Sequence, residues 1–366
     1  MEKLDHEANE AGSTEVQIVL CPDVYPISPV HIGDEKVDAV FRLIGDADIS
    51  VVNFEIPLTD RGVAVPKLLN IKAPPSAAQG LSSLGFSVAT VANNHAGDYG
   101  WDGLVDTRHA LEAQSIKVVG MGETLAEALR PAVARIKSKN IGVIAFSCLA
   151  PAGFGASPTR PGIACLQVVT GYELNPGYQM EEPGDPGCMT IRTRVRDQDL
   201  AAACEAVRQA KQNCDCLIAS VHWGFGSTEA LAEYQEPLAM ALIDAGADVI
   251  HGHHPHAIQA VGFYRQKPVI FSANVLIGQQ VFLPASDQVH EIWRAMSDEG
   301  FVTRLCFGAQ GVFDIEIIPT LLNARRLPEI APPDVAGRIF DRLSRLSGLQ
   351  GGVVRRVGGR IMLSPS

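Results

Sequence analysis

Ala247-Asp248-Val249-Ile250-His251-Gly252-His253-His254-Pro255-His256 runs from an apolar segment straight into four histidines within six residues. A short apolar run bounded by turn signals reads as a buried strand. A strand that ends in imidazoles aims them at whatever lies beyond the sheet edge. Proline fixes its own φ and disfavours helix at the residue before it. His254 and His256 are therefore expected on a rigid extended turn, one residue apart. Surface histidines on a polar turn are the plainer reading, but four imidazoles directly behind an apolar strand outweigh it. Neutral imidazole is a common ligand for zinc, iron and manganese-type centres.

The same design recurs upstream. Val221-His222-Trp223-Gly224 follows the apolar run 216–220, and Ala92-Asn93-Asn94-His95 follows 87–91. Asp23 follows 16–20, and Asn53-Phe54-Glu55 follows 49–52. Singly, each signal is weak: a lone strand-end His is more often a satisfied rim histidine, and an Asn-rich turn is more often a cap. Together, five strand ends aim acids, a carboxamide and histidines at what could be one point. A carboxylate behind an apolar strand is costly unless paired; two cations would remove that cost, and a carboxylate could bridge them. In a dinuclear centre about 3.5–4 Å across, the cations clamp the reacting group and generate hydroxide near neutral pH. The mixed donor set suits manganese, iron or zinc better than calcium. The expected cofactors are thus two divalent metal ions (Mn, Fe or Zn). An Asn oxygen can ligate a metal while the adjacent His stays free as a proton donor.

The rest of the chain sets the frame. Its 366 residues, 46% hydrophobic and 19% charged, suit one large or two medium domains with a sizeable core. A net charge of -11 argues against nucleic acid as the main partner. Residues 1–15 read as a disordered arm with no secretory h-region. No run of about 18 apolar residues marks a membrane span. Eight scattered cysteines read as reduced buried thiols, so the expected location is cytoplasmic. Strands and helices alternate from residue 16. Helices are expected over 35–44, 76–84, 101–114, 198–212, 229–245 and 336–347, and hairpins over 132–147, 257–272 and 301–319. Residues 151–197, rich in Pro and Gly, read as a substrate-covering excursion. The pattern predicts an α/β architecture with layered sheets over 16–320, and a C-terminal helix and tail over 321–366 packed on it.

The order Asp23, Asn53-x-Glu55, ANNHAGDYGWDGLVDT over 92–107, His222-Trp223-Gly224 and IDAGADVIHGHHPH over 243–256 resembles the poly-γ-glutamate capsule-biosynthesis (CapA-like) family. That family is distantly related to the calcineurin-like metallophosphoesterases. The resemblance runs from about residue 16 to about 319. It implies a four-layer αββα sandwich, metallophosphatase-like, with the metal site at the sheet edges. It also implies that Asp23, Glu55 and His256 hold one metal, and that Glu55 bridges to a second held by Asn94, His222 and His254. His95 is then the unligated acid, with Asn53, His253 and Asp98 supporting the ligands from behind. The chain departs from the family at three residues. Pro22 replaces the usual Gly before Asp23, and Tyr25 stands where the phosphoesterase relatives carry a His ligand. The Asn of the family's Ser-Leu-Gly-Asn-Phe strand end falls one place early, at Asn274.

The expected activity is soluble, metal-dependent hydrolysis of an amide or related acyl bond. The expected substrate is a γ-glutamyl-like or other small or oligomeric acid, reached by Tyr25, Arg160 and Trp223, with Arg192 a further candidate. The competing readings are a metal-dependent phosphoesterase, a non-catalytic binding protein of capsule assembly and, more remotely, oxygen chemistry at a di-iron site. Oligomeric state is left open by the sequence.

Overall fold

The structure is a computed structural model that describes residues 14–31 and 33–366. Of the arm expected over 1–15, all but Thr14 and Glu15 lies outside the described residues. The first strand, Val16–Val24, is buried along nearly its whole length. Strands covered on both faces read as continuous apolar runs because neither face meets water. It runs parallel to Ile49–Phe54, which pairs in turn with Val88–Thr90 and then Lys117–Val119. On its other side it pairs antiparallel with Glu299–Gly308. Gly311–Leu322 and the C-terminal hairpin Gly352–Val357 and Arg360–Pro365 extend that edge.

A second sheet has the order Val261–Tyr264, Lys267–Ile270, Val249–His253, Cys216–His222, Lys139–Ser147, Ala132–Ile136. Its four central strands are parallel. Strand side chains alternate between faces, and the alternation here builds the layers. Cys216 and Ile218 enter the core shared with the first sheet, as do Ile141 and Val143. Leu217, Ala219 and Val221 face the other way, with Ile144 and Phe146, onto helices Asp197–Lys211 and Gln235–Ala245. Helices Glu35–Gly45 and Gly100–Glu112 bury their apolar stripes in the core of the first sheet. The result is helix, sheet, sheet, helix: the four-layer α/β arrangement expected.

Three expected elements differ. The helix over 76–84 is two short 3-10 turns, Pro75–Ala78 and Leu81–Leu84. Gly80 between them sits at φ +81°, a left-handed conformation that ends a helix and that glycine adopts freely. The helix over 229–245 starts only at Gln235. Pro237 has no N–H and fits best in a first helical turn, while the Gln235 side chain accepts from Ala232 N and holds the preceding turn. The excursion over 151–197 contains a fully paired antiparallel ribbon, Val168–Leu174 with Met189–Val195, and a short helix, Pro176–Glu181. Its alternation of Tyr172, Leu174, Met189 and Ile191 was present in the sequence and was masked by the flanking Pro and Gly.

Gly252 shows how tightly the histidine-rich strand is held. A Cβ there would overlap the Phe271 carbonyl oxygen and crowd the Trp223 indole nitrogen. Gly252→Ala is expected to destabilise the fold by about 1–3 kcal/mol, the usual cost of overpacking. Gly226→Ala, with nothing within 4 Å of the new methyl, should leave the urea midpoint unchanged. Equal midpoints for the two variants would contradict this packing.

Candidate functional site

Parallel strands carry their C-terminal ends to the same edge, and crevices beyond such ends are where open α/β sheets bind ligands. Here two sheets do this side by side. The first sheet contributes Asp23, Asn53 and Glu55, and Asn93 to His95; the second contributes His222 and the turn after His253. Pro22 cannot donate to the sheet ladder. The register between the first two strands shifts between Cys21 and Asp23, and this bulge re-aims the Asp23 side chain. The turn at 254–256 is not extended as expected. His254 lies at φ +102° and His256 at φ +48°. Such non-glycine conformations cost about 1–3 kcal/mol each and persist where the surroundings over-determine them. Asp23 is one cause, since its Oδ2 accepts from His254 N at 3.1 Å, tying the two sheets together.

The expected ligands meet. Asp23, Glu55 and His256 form one group whose donor atoms lie within 4.8 Å of one another, and Glu55, His222 and His254 form a second that shares Glu55. His256 Nε2 lies 3.5 Å from both Asp23 Oδ2 and Glu55 Oε2. His222 Nε2 lies 3.3 Å from Glu55 Oε1 and 2.9 Å from Asn94 Oδ1. Asn53 Nδ2 donates to Asp23 Oδ1 at 2.7 Å and reaches Glu55 Oε2 at 3.3 Å, so one amide spaces the two carboxylates. Its orientation follows from Oδ1, which accepts from Thr90 and Asn93.

The chemistry of this set fits cations. Asp23 and Glu55 are fully buried, and among the described residues their ion-pair partners are imidazoles alone. Glu55 Oε1 and His254 Nδ1 are buried without a hydrogen-bond partner, and both belong to the second ligand group. Burial and the negative Glu55 push Asp23 well above the usual carboxylate range. Burial works against Glu55 too, but His222 and His256 outweigh it and hold its carboxyl low. Burial lowers His222, His253 and His254, which favours the neutral form in which imidazole ligates a metal.

Beside the ligands, His95 Nδ1 bonds Asp98 Oδ2 at 2.7 Å. Asp98 is fully buried and also accepts from Ile71 N at 2.8 Å and from Lys67. Lys67 donates to the Asn94 carbonyl at 2.8 Å, so it pins the loop before Asn70 over the Asn94-His95 turn. Sequence reasoning missed Lys67; it lies in a loop with no periodicity and no motif.

Tyr25 is buried, with its hydroxyl 2.7 Å from His256 Nε2, among the candidate ligand atoms. Trp223 corrects an expectation. It is fully buried, donates from Nε1 to the Phe271 carbonyl at 2.9 Å and stacks on Phe271, so it anchors the strand end instead of facing substrate. Arg160 is exposed, bonds the Gly155 carbonyl and lines a cavity of about 550 Å3 with Cys148, Cys165 and Arg196. Arg192 is held on the exterior by Glu173 and Glu233. Asn274 donates to the Ser297 and Glu299 carbonyls and supports a turn.

A two-sheet sandwich with helices on both outer faces has a metallophosphatase-like fold, and its strand ends bring together acid and imidazole groups that could hold metal. Residues 17–280, well over half of the chain, match the family described as "Bacterial capsule synthesis protein PGA_cap", and the chain belongs to that family. It is 26% identical to the PGA biosynthesis protein CapA of Bacillus subtilis (strain 168) over 67% of this chain and 56% of that protein. It is 27% identical to the capsule biosynthesis protein CapA of Bacillus anthracis over 68% of this chain and 56% of that one. A probable polyglutamine synthesis accessory protein of Mycobacterium tuberculosis (strain ATCC 25618 / H37Rv) is 26% identical over 87% of this chain and 78% of its own length. The chain thus spans just over half the length of the two Bacillus relatives. A solved structure titled "GAP50 the anchor in the inner membrane complex of Plasmodium" aligns over 96% of this chain and 99% of that one, at 8% identity and a TM-score of 0.35, too low to carry an argument. Among the described residues no helix is long and apolar enough to cross a membrane.

The buried imidazoles predict the acid sensitivity of the metal-free protein. Burial pushes His251 down to about 4 and also lowers His222, His253 and His254. The unfolded chain takes up these protons near pH 6.5, the folded one only well below. Their contribution to stability is therefore complete above about pH 6.5 and is lost as pH falls toward the folded values. Asp23 acts in the opposite sense: its raised value favours the fold at low pH, and that contribution fades as pH rises through the folded value. Four imidazoles against one carboxyl should lower the Tm in chelator between pH 7.5 and 5. A flat Tm over that range would contradict the assignment.

Proposed function

We propose that this protein is a metal-dependent hydrolase that cleaves an amide or related acyl bond in a γ-glutamyl-like or other small acidic substrate. The observation that carries the reading is the pair of ligand groups sharing Glu55, with an uncoordinated His95–Asp98 couple beside them. Asp23, Glu55 and His256 would hold one cation, and Glu55, Asn94, His222 and His254 a second. Cations so placed would polarise the scissile group and supply a nucleophile at neutral pH. Mn, Fe or Zn suits the donors. The relatives' printed roles in PGA, capsule and polyglutamine synthesis support a glutamyl or glutaminyl polymer, or a fragment of one, as the source of the substrate. Eight unpaired thiols suit a reducing, cytoplasmic setting.

The protein's own groups divide the remaining work. Asp98 accepts the Nδ1 proton of His95 and fixes the ring. His95 Nε2, without a protein partner among the described residues, is then the nitrogen that delivers a proton to the leaving amine. Lys67 on the second Asp98 oxygen and on the Asn94 carbonyl keeps the acid and the neighbouring ligand in one register. Tyr25, its phenol held protonated by burial and by Glu55, can donate into the site beside His256.

His95→Ala should keep the metal content of the wild type while turnover falls about 10²–10⁴-fold, the usual contribution of a positioned acid. Elemental analysis and kcat on the same preparation read both. Substrate class is tested with γ-glutamyl amides and lactams against an aryl phosphate. Turnover of the phosphate alone would replace this reading with a phosphoesterase. A chain that takes up no metal would leave a non-catalytic binding protein of capsule assembly.

A further inference from the structure

The face of the second sheet that meets the first is apolar along most of its length and turns polar at the strand ends. Ser220 and His222 lie there on one strand, His251 and His253 on its parallel neighbour. All four are buried. They form a line of contacts. His222 Nδ1 lies 2.9 Å from His253 Nδ1, and His253 Nε2 lies 2.8 Å from Ser220 Oγ. Ser220 Oγ lies 3.4 Å from His251 Nδ1, and His251 has a backbone hydrogen bond with Cys21 of the first sheet. His251 and Ser220 belong to no ligand group; His253 appears only in a third, with Asp23 and His222.

We propose that His253 and Ser220 are positioning residues that set the tautomer of His222. This rests on the metal-centre reading above. His222 faces Glu55 and Asn94 with Nε2, so ligation needs Nε2 bare and the proton on Nδ1. That N–H requires an acceptor. Asn53 Nδ2, 3.4 Å away, is itself a donor already engaged with Asp23 and Glu55. His253 Nδ1 is the contact that can accept. Accepting there places the His253 proton on Nε2, and Ser220 Oγ receives it. The hydroxyl then turns its own proton toward His251 Nδ1. His222 donates only, each later member accepts once and donates once, and the direction of the whole line is dictated by the bare nitrogen at the ligand end.

The line can also run backward. With no cation present, Asn94 Oδ1 accepts from an Nε2–H on His222, and the Ser220 hydroxyl rotates to donate to His253. The tautomers therefore report which way the line runs. The third grouping, Asp23 with His222 and His253, is a poorer cation position because the Asn53 N–H points into it. Outer partners that fix a ligand imidazole are worth about 10–100-fold in metal affinity.

The test uses the full chain and Zn2+. Zinc affinity is measured by competition with a chromophoric chelator for the wild type, Ser220→Ala, His253→Phe and His253→Gln. Imidazole tautomers are read from long-range 1H–15N NMR of the zinc-loaded wild type. We expect affinity to fall about 10–100-fold in Ser220→Ala and His253→Phe. His253→Gln, whose amide oxygen can accept the His222 proton, should recover part of the loss. The spectra should show His222 protonated on Nδ1 and His253 on Nε2. Should His253→Phe fail to fold, Ser220→Ala still decides, since it removes one buried oxygen only. Wild-type zinc affinity in Ser220→Ala and His253→Phe, or zinc-loaded His253 protonated on Nδ1, overturns the relay and leaves the metal centre standing. A wild type that takes up no zinc overturns the metal centre itself.

Discussion

Two carboxylates, Asp23 and Glu55, are buried at the seam between two sheets, and among the described residues no lysine or arginine answers them. A buried charge without a partner costs several kcal/mol even after relaxation. The surrounding structure is arranged around reducing that cost. One amide of Asn53 spans both acids, the backbone N–H of His254 reaches across from the second sheet, and imidazoles supply the remaining contacts. The seam of the sandwich and the candidate centre are consequently the same place. Only the strand ends can carry these groups, because the interior of the seam is filled with apolar side chains such as Ile18, Leu20, Val143 and Ile218.

The local departures from regular geometry sit where this demand is strongest. Pro22 breaks the ladder and turns Asp23 inward. His254 and His256 adopt positive φ around Pro255. Gly252 lets the strand that carries the histidines pass against Phe271 and Trp223. Each is a cost in the fold that places a donor atom. Asp98 does the parallel service for His95, gathering a backbone N–H, an imidazole and Lys67 in one buried cluster.

Much of this was legible because it follows from order along the chain. Apolar runs ending in Asp, Glu, Asn or His mark strand ends, and parallel strands bring their C-terminal ends to a common edge. The candidate ligands Asp23, Glu55, Asn94, His222, His254 and His256 were accessible to that reasoning, and the family resemblance divided them into two sets. The role of Trp223 was not accessible. A large aromatic next to a ligand looks like a substrate platform until its packing on Phe271 is seen. Lys67 was invisible for the opposite reason: a lysine in an aperiodic loop has no pattern, and only the folded loop brings it to Asp98. The ribbon over 168–195 was obscured because Pro and Gly around it outweighed its period of two.

The sequence by itself determined the layered α/β alternation, the strand ends and the identity of the donor groups. These depend on hydrophobic periodicity and residue chemistry, which are local. Tertiary structure alone decided which donors share an acid, that Tyr25 stands among the ligands, and that Ser220, His251 and His253 line up behind His222. Those contacts join residues as far apart in the chain as Asp23 and His256. They depend on the register of two sheets against each other, a property of packing that no single segment encodes.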